Sequence, residues 1–184
     1  SNRFRYLDSK YHIGSAISNT AFIRFFNSGT LTLTSAIDMY MGVSFGGGTT
    51  PDLKRATANT PVNYVYDQSS TVTEMETWIY SADMITDIGD ISVFYPNEVD
   101  VSKCSRLRNL TIGNADSNYS NANLNKLDVR NSVLLEKIDV RNCPNLAITV
   151  NLENSPRLKE AYFDGTAITG VDLADGGSVE KLHL

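Results

Sequence analysis

Between Ile88 and Leu182 two apolar residues flanking a polar one, followed by Asn or a small residue, recur with anchors at Ile88, Val99, Leu110, Leu127, Ile138, Val150, Ala161, Val171 and Leu182, separated by 11, 11, 17, 11, 12, 11, 10 and 11 residues. So short and regular an apolar period leaves few folding options. The last two apolar residues of Leu-x-x-Leu-x-Val stand two apart, so both point to one face of a short strand while the residue between them points outward. Asn then turns the chain, because it tolerates left-handed geometry and its side chain satisfies free backbone groups. The clearest copies are LNKLDVRN from Leu124 to Asn131, LEKIDVRN from Leu135 to Asn142, and VEKLHL from Val179 to Leu184.

The phrase reads as a leucine-rich repeat cut to half its usual length of 20 to 29 residues. Two strands per coil, one on each side of a flattened stack, accommodate that period. The predicted fold is mainly β. An N-terminal antiparallel β module occupies residues 1–70, and a short-period leucine-rich-repeat-like β-solenoid occupies 71–184, with 71–87 as its capping segment. Alternate phrases stack, so Leu127, Val150 and Val171 share one side and Ile138, Ala161 and Leu182 the other. Same-offset residues of adjacent coils lie about 4.8 Å apart and form ladders. That geometry predicts Arg130 beside Glu153, Arg141 beside Asp164 and Asp139 beside Tyr162. Exposed pairs of this kind contribute roughly 0–1 kcal/mol each. The fold is held by burial of its Leu, Ile and Val side chains, at roughly 1.5–3 kcal/mol apiece, and by stacking between neighbouring coils.

The one irregular step, between Leu110 and Leu127, carries six additional residues within GNADSNYSNAN. Insertions in repeat arrays map to loops on one rim, and Tyr119 at the centre of this one is the expected contact residue. The candidate interaction surface is therefore Tyr119, Asp128, Arg130, Asp139, Arg141, Tyr162 and Asp164.

Upstream, AFIRFF, TLTLT, MYMGVSF and VNYVY show aromatic and β-branched residues, partly in alternation, separated by turn residues. They predict a small antiparallel module in which Asn27-Ser28-Gly29 closes a hairpin. Gly46 to Pro61 reads as a long connection. Thr71 to Ile85 fits a short helix or a strand, with a capping strand at Thr77 to Tyr80 preferred and Trp78 expected to cover the end of the repeat core.

Chemistry-bearing residues are sparse. His12 and His183 are the only histidines, and neither lies near a nucleophile motif. Asp83, Asp87 and Asp90 cluster before the first coil without a calcium-loop phrase, and the glycine run lacks the lysine of a phosphate loop. Cys104 and Cys143 each follow an anchor by five residues, which places them on opposite sides as free, partly buried thiols. No catalytic, cofactor-binding or metal-binding residue is predicted, and no cofactor. A net charge of −5 without a basic stripe disfavours nucleic acid. No run of 18 apolar residues predicts a membrane span. Asn109-Leu-Thr and Asn118-Tyr-Ser match the short glycosylation sequon. The opening Ser-Asn resembles a cloning remnant, and the chain stops at EKLHL without a polar cap, so a fragment of a longer polypeptide is expected.

The longer phrases SADMITDIGDISVFYP, VDVSKCSRLRNLTIG, SNANLNKLDVRN, LLEKIDVRNCPNL and GTAITGVDLADGGSVEKLHL, together with TLTLTSAIDMYMGVSFG upstream, resemble the leucine-rich-repeat virion proteins of tailed bacteriophages and prophages of gut bacteria. The resemblance spans most of the chain. It implies a non-enzymatic structural or tail-associated component located in the virion, with virion proteins or the host surface as partners. It supplies no catalytic residues to carry over. A cell-surface adhesin or glycan-binding module of a gut bacterium is the alternative, since such proteins use similar nested repeats. A polysaccharide-cleaving β-solenoid is the enzymatic one.

Overall fold

In the computed structural model the chain is described over residues 19–46, 50–67 and 74–184. His12 and the opening Ser-Asn lie outside the described residues, as do Thr71 to Thr73 and the middle of the glycine run.

The described residues form a mainly β protein built on two mixed sheets and a two-stranded parallel one. The first strands, β1 (Thr20–Phe25) and β2 (Gly29–Ser35), set the arrangement. Along β1 the side chains of Ala21, Ile23 and Phe25 are buried, and along β2 those of Leu31 and Leu33. The three residues between the strands do not close the expected hairpin. Instead β1 pairs antiparallel with β6 (Met75–Tyr80) and β8 (Glu98–Asp100), whereas β2 pairs antiparallel with β5 (Val62–Tyr66) and β7 (Ile85–Ile88). Both edges of each strand are thus taken, and the short link is a corner between sheets. Gly29 sits there because a Cβ would stand 2.7 Å from the Phe94 ring. One sheet is completed by β3 (Met39–Phe45), antiparallel to β6, and by β4 (Asp52–Ala56) at its edge. β4 lies inside the stretch expected to be a connection. Its sequence, DLKRA, buries only Ala56, so a polar edge strand carried no apolar period by which to recognise it. The alternation in VNYVY aims Tyr64 inward, where its hydroxyl donates to the Met41 carbonyl at 2.5 Å.

The eleven-residue phrases continue both sheets in parallel. On the β2 side, β7 is followed by β9 (Asn109–Thr111), β11 (Lys137–Asp139), β13 (Glu160–Tyr162) and β15 (Lys181–His183). There Leu110 pairs with Ile138, Ile138 with Ala161, and Ala161 with Leu182. On the β1 side, β8 is followed by β10 (Lys126–Asp128), with Val99 opposite Leu127. The pair β12 (Thr149–Leu152) and β14 (Gly170–Leu173) places Val150 opposite Val171. Ile138 with Ala161, Ala161 with Leu182 and Val150 with Val171 are neighbours the anchor spacing predicts, whereas Leu127 and Val150, expected to stack as well, are not paired. The hydrogen-bonded ladder on this second side stops between β10 and β12. That interruption coincides with the single twelve-residue step, from Ile138 to Val150.

The buried side chains form one cluster running from Ala21 to Phe163 without a gap between the antiparallel and parallel parts. Repeat positions are filled consistently: Leu107, Leu135, Leu146 and Leu158 enter from the bends, and Cys104, Ser132, Cys143 and Ser155 occupy one buried slot after each strand. Asn131 and Asn142 take left-handed backbone geometry, with φ of 66° and 59°, as turn-forming Asn does at such a site. Trp78 does not cover the end of this core. Thr77 and Ile79 face inward on β6, so Trp78 points to the outer face, edge-on to Phe22 with ring centroids 6.1 Å apart.

Candidate interaction surface

The seven residues expected on the surface separate into three places. Asp139, Arg141, Tyr162 and Asp164 come together on the outer face of the β2-side sheet. Asp128 and Arg130 lie on the opposite side of the molecule, at the end of β10. Tyr119 belongs to neither face.

On the first face two rows of outward residues run across the strands. Asn109, Lys137, Glu160 and Lys181 form one, and Thr111, Asp139, Tyr162 and His183 the other. Asp139 stands beside Tyr162, as the ladder predicts. Tyr162 is hemmed in by its neighbours: the Arg141 guanidinium lies 4.6 Å from its ring centroid and the His183 ring meets it edge-on at 5.0 Å. Its hydroxyl donates to Glu160 Oε1 at 3.0 Å. Lys181 reaches the same carboxylate at 3.3 Å. These two donors, the tyrosine first, hold the Glu160 carboxyl below the usual carboxylate range.

The expected cross-coil pairs Arg141 with Asp164 and Arg130 with Glu153 are replaced by pairs within one strand end. Asp139 accepts from the Arg141 backbone N–H at 3.1 Å and from its guanidinium at 3.0 and 2.6 Å. Asp128 does the same for Arg130, at 3.1, 3.0 and 2.7 Å. The reason is local. An Asp that ends a strand already turns toward the amide two residues on, and in Asp-Val-Arg that residue carries a guanidinium able to close on both carboxylate oxygens. Arg130 lowers the Asp128 carboxyl by its side-chain hydrogen bond above all. Asp164 instead lies 3.8 Å from His183 Nδ1.

The insertion after β9 is fastened down at Tyr119 and Asn121, while Ala115 to Asn118 stay exposed. Tyr119 stacks on Tyr95 at 5.0 Å and donates its hydroxyl to the Ser92 carbonyl at 2.9 Å. Burial raises its phenol above the usual range, reinforced by Cys143, Tyr95 and Asp90. Asn121 is fully buried and donates to the Pro96 carbonyl at 2.8 Å, while Asn142 donates to the Asn114 carbonyl at 2.8 Å. A polar loop is thus anchored by its own amides, and a sequence rich in turn formers gives no sign of where those amides find partners.

The three clustered acids also part company. Asp83 accepts from Asn19, Asp87 from Arg108 and Asn109, and Asp90 from the Ser92 amide. Among the described residues no group of three or more His, Cys, Asp or Glu is placed to hold a metal ion. No helix there is long and apolar enough to cross a membrane.

Both cysteines are free, on opposite sides of the core, and fully buried rather than partly so. Burial pushes each thiol up to about 12, helped by Asp100 and Asp83 at Cys104 and by Asp139 at Cys143. A thiol whose folded pKa exceeds its unfolded value of 9.0 contributes stability that is complete below pH 9 and is lost as pH rises toward 12. The variant carrying Cys104→Ser and Cys143→Ser is therefore expected to show a flatter fall in melting temperature between pH 9 and 11 than the parent. Serine already fills the same slot at Ser132 and Ser155. Equal slopes in the two proteins would remove this origin for the alkaline sensitivity.

The turns that follow β10, β12 and β14 line an open groove of about 840 Å³, with Val133, Pro156 and Leu173 among its apolar residues and Glu153 and Asp175 among its acidic ones. The signal was available in the offsets, since Asn131, Asn154 and Asp175 each stand four residues after an anchor and Val133 and Pro156 six after. Comparison of the chain with protein families, curated proteins and solved structures gives no match.

Proposed function

We propose that the eleven-residue phrases wind as a leucine-rich-repeat-like solenoid seeded by the antiparallel N-terminal strands. On this reading the segment serves as a non-enzymatic structural or host-contact part of a tailed-phage virion. The observation that supports the solenoid is the alternation of anchors between two parallel ladders, with Ile138 between Leu110 and Ala161 on one side and Val150 beside Val171 on the other. Supporting the scaffold role, the half-buried carboxylates of Asp128 and Glu160 and the buried one of Asp139 are each engaged by a neighbouring cation, which suits a surface that holds its shape while it docks. The virion location rests on the sequence resemblance.

Antibodies raised against the 184-residue chain are expected to label particles purified from an induced lysogen, in immunogold micrographs and in the gradient fractions that carry capsid protein. Labelling of the bacterial envelope with bare particles would replace this reading with the adhesin. Release of reducing sugar from any polysaccharide, lost on changing outward Asp or Glu residues, would replace it with an enzyme.

A further inference from the structure

We propose that the groove along the turns after β10, β12 and β14 docks an extended segment of a partner protein that presents a lysine or arginine next to an aliphatic side chain. The inference rests on the reading of this chain as an interaction segment and adds the chemistry of the partner.

Three observations converge on a cation with an apolar stem. First, Glu153 and Asp175 both line the groove, and no ion pair or side-chain hydrogen bond engages either carboxylate among the described residues. Arg157, the neighbour of Pro156, pairs with neither. This contrasts with Asp128 on the same side of the molecule, which Arg130 neutralises. Second, the groove pairs these charges with exposed apolar surface, with Val133 at 42% exposure beside Pro156 and Leu173. A basic side chain covers apolar surface with its methylene stem while its head group reaches a carboxylate, a combination that an acidic or purely polar ligand cannot supply. Third, the turns are fixed before any partner arrives. Asn151 accepts from the Glu153 amide at 3.1 Å, and the Ser155 hydroxyl donates to the Ser132 carbonyl at 2.9 Å. Preorganisation lowers the entropy lost on binding.

An extended backbone fits such a groove. Asn131 and Asn154 line it with carboxamides that have no hydrogen-bond partner among the described residues, and each can donate to and accept from a peptide unit. No aromatic ring lines it, so the stacking surface on which a sugar would sit is missing there. The net charge of −5 draws basic segments toward the molecule from a distance, and the groove adds a place for one to stop.

The test uses a fluorescein-labelled twelve-residue peptide of alternating arginine, leucine and glycine, titrated against the whole chain and followed by anisotropy. Saturable binding that weakens with salt is expected. The double variant Glu153→Gln with Asp175→Asn is expected to weaken it at least tenfold, about the loss of one charge-assisted contact. Glu136→Gln with Glu180→Gln removes the same charge from the other side and is expected to leave affinity within twofold. Glu153, Asp175 and Glu180 are exposed and Glu136 is half-buried, and circular dichroism checks that both variants keep the fold. Absence of saturable binding, or equal weakening by both double variants, overturns the proposal. So does saturable binding of an oligosaccharide that the first double variant abolishes. Any of these outcomes leaves the virion reading intact, because particle labelling does not depend on the groove.

Discussion

Replacing Gly113 with alanine is expected to lower the melting temperature by roughly 6–12 °C, which corresponds to a loss of about 3 kcal/mol for a chain of this size. An added Cβ would stand 2.1 Å from the Arg141 carbonyl oxygen, 2.5 Å from the Arg141 nitrogen and 2.6 Å from the Val140 carbonyl carbon. All three are backbone atoms of the segment that follows β11. A flexible side chain can swing aside, but a strand end paired on both sides cannot. The same stretch is bound to that segment by the amides of Ile112 and Gly113, both donating to the Asp139 carbonyl, and by that of Asn114, donating to the Arg141 carbonyl. Separating the two segments to admit a methyl group therefore lengthens several hydrogen bonds together. Gly170→Ala is the matched control, because its Cβ would meet only the Thr149 methyl at 3.9 Å, and it is expected to shift the transition by less than about 1 kcal/mol. Equal melting temperatures for the two variants in calorimetry would mean that the segment after β9 does not pass Arg141 at this distance.

Ile138→Ala is expected to cost about 2–5 kcal/mol in urea unfolding, the usual range for truncating a fully buried aliphatic side chain. Ile138 lies between Leu110 and Ala161 in the parallel ladder and is completely buried. One of its neighbours is already only a methyl group, so little side chain is at hand to collapse into the space left behind. Leu182→Ala removes a similar number of carbons from the same ladder, but Leu182 is 40% exposed, and less than half the loss is expected. If both variants unfold at the same urea concentration, the two positions do not differ in burial and the direction of stacking is misassigned.

Legibility differed from one part of the chain to another for identifiable reasons. The pairing of Ile138 with Ala161 and of Val150 with Val171 was readable because each strand has one buried face, and a slip of one residue would turn that face to water. The buried slot shared by Cys104 and Cys143 was readable from the same offset. β4 was not, since an edge strand needs no apolar face. The corner after Phe25 read as a hairpin because three turn residues suit either connection, and only the occupation of both edges of β1 and β2 excludes it. The arginine pairs do not follow from the ladder, because a carboxylate two residues away lies closer than any on the next strand. The partners of Tyr119 are not legible for a related reason: a loop is polar whether it projects or is fastened down by Asn121 and Asn142.

The period of the phrases, with its alternating faces, was determined by the amino-acid sequence alone. Where the apolar residue, the outward residue and the Asn fall is enough to specify a strand, its buried side and the turn that ends it, since each depends on neighbours within a few positions. What sits beside those strands was decided by tertiary structure. The two sheets that receive the ladders, the seating of Tyr119 on Tyr95, and the groove that brings Glu153 and Asp175 together all depend on contacts between residues more than twenty positions apart. Such contacts form only when the whole core closes, and no local pattern records them.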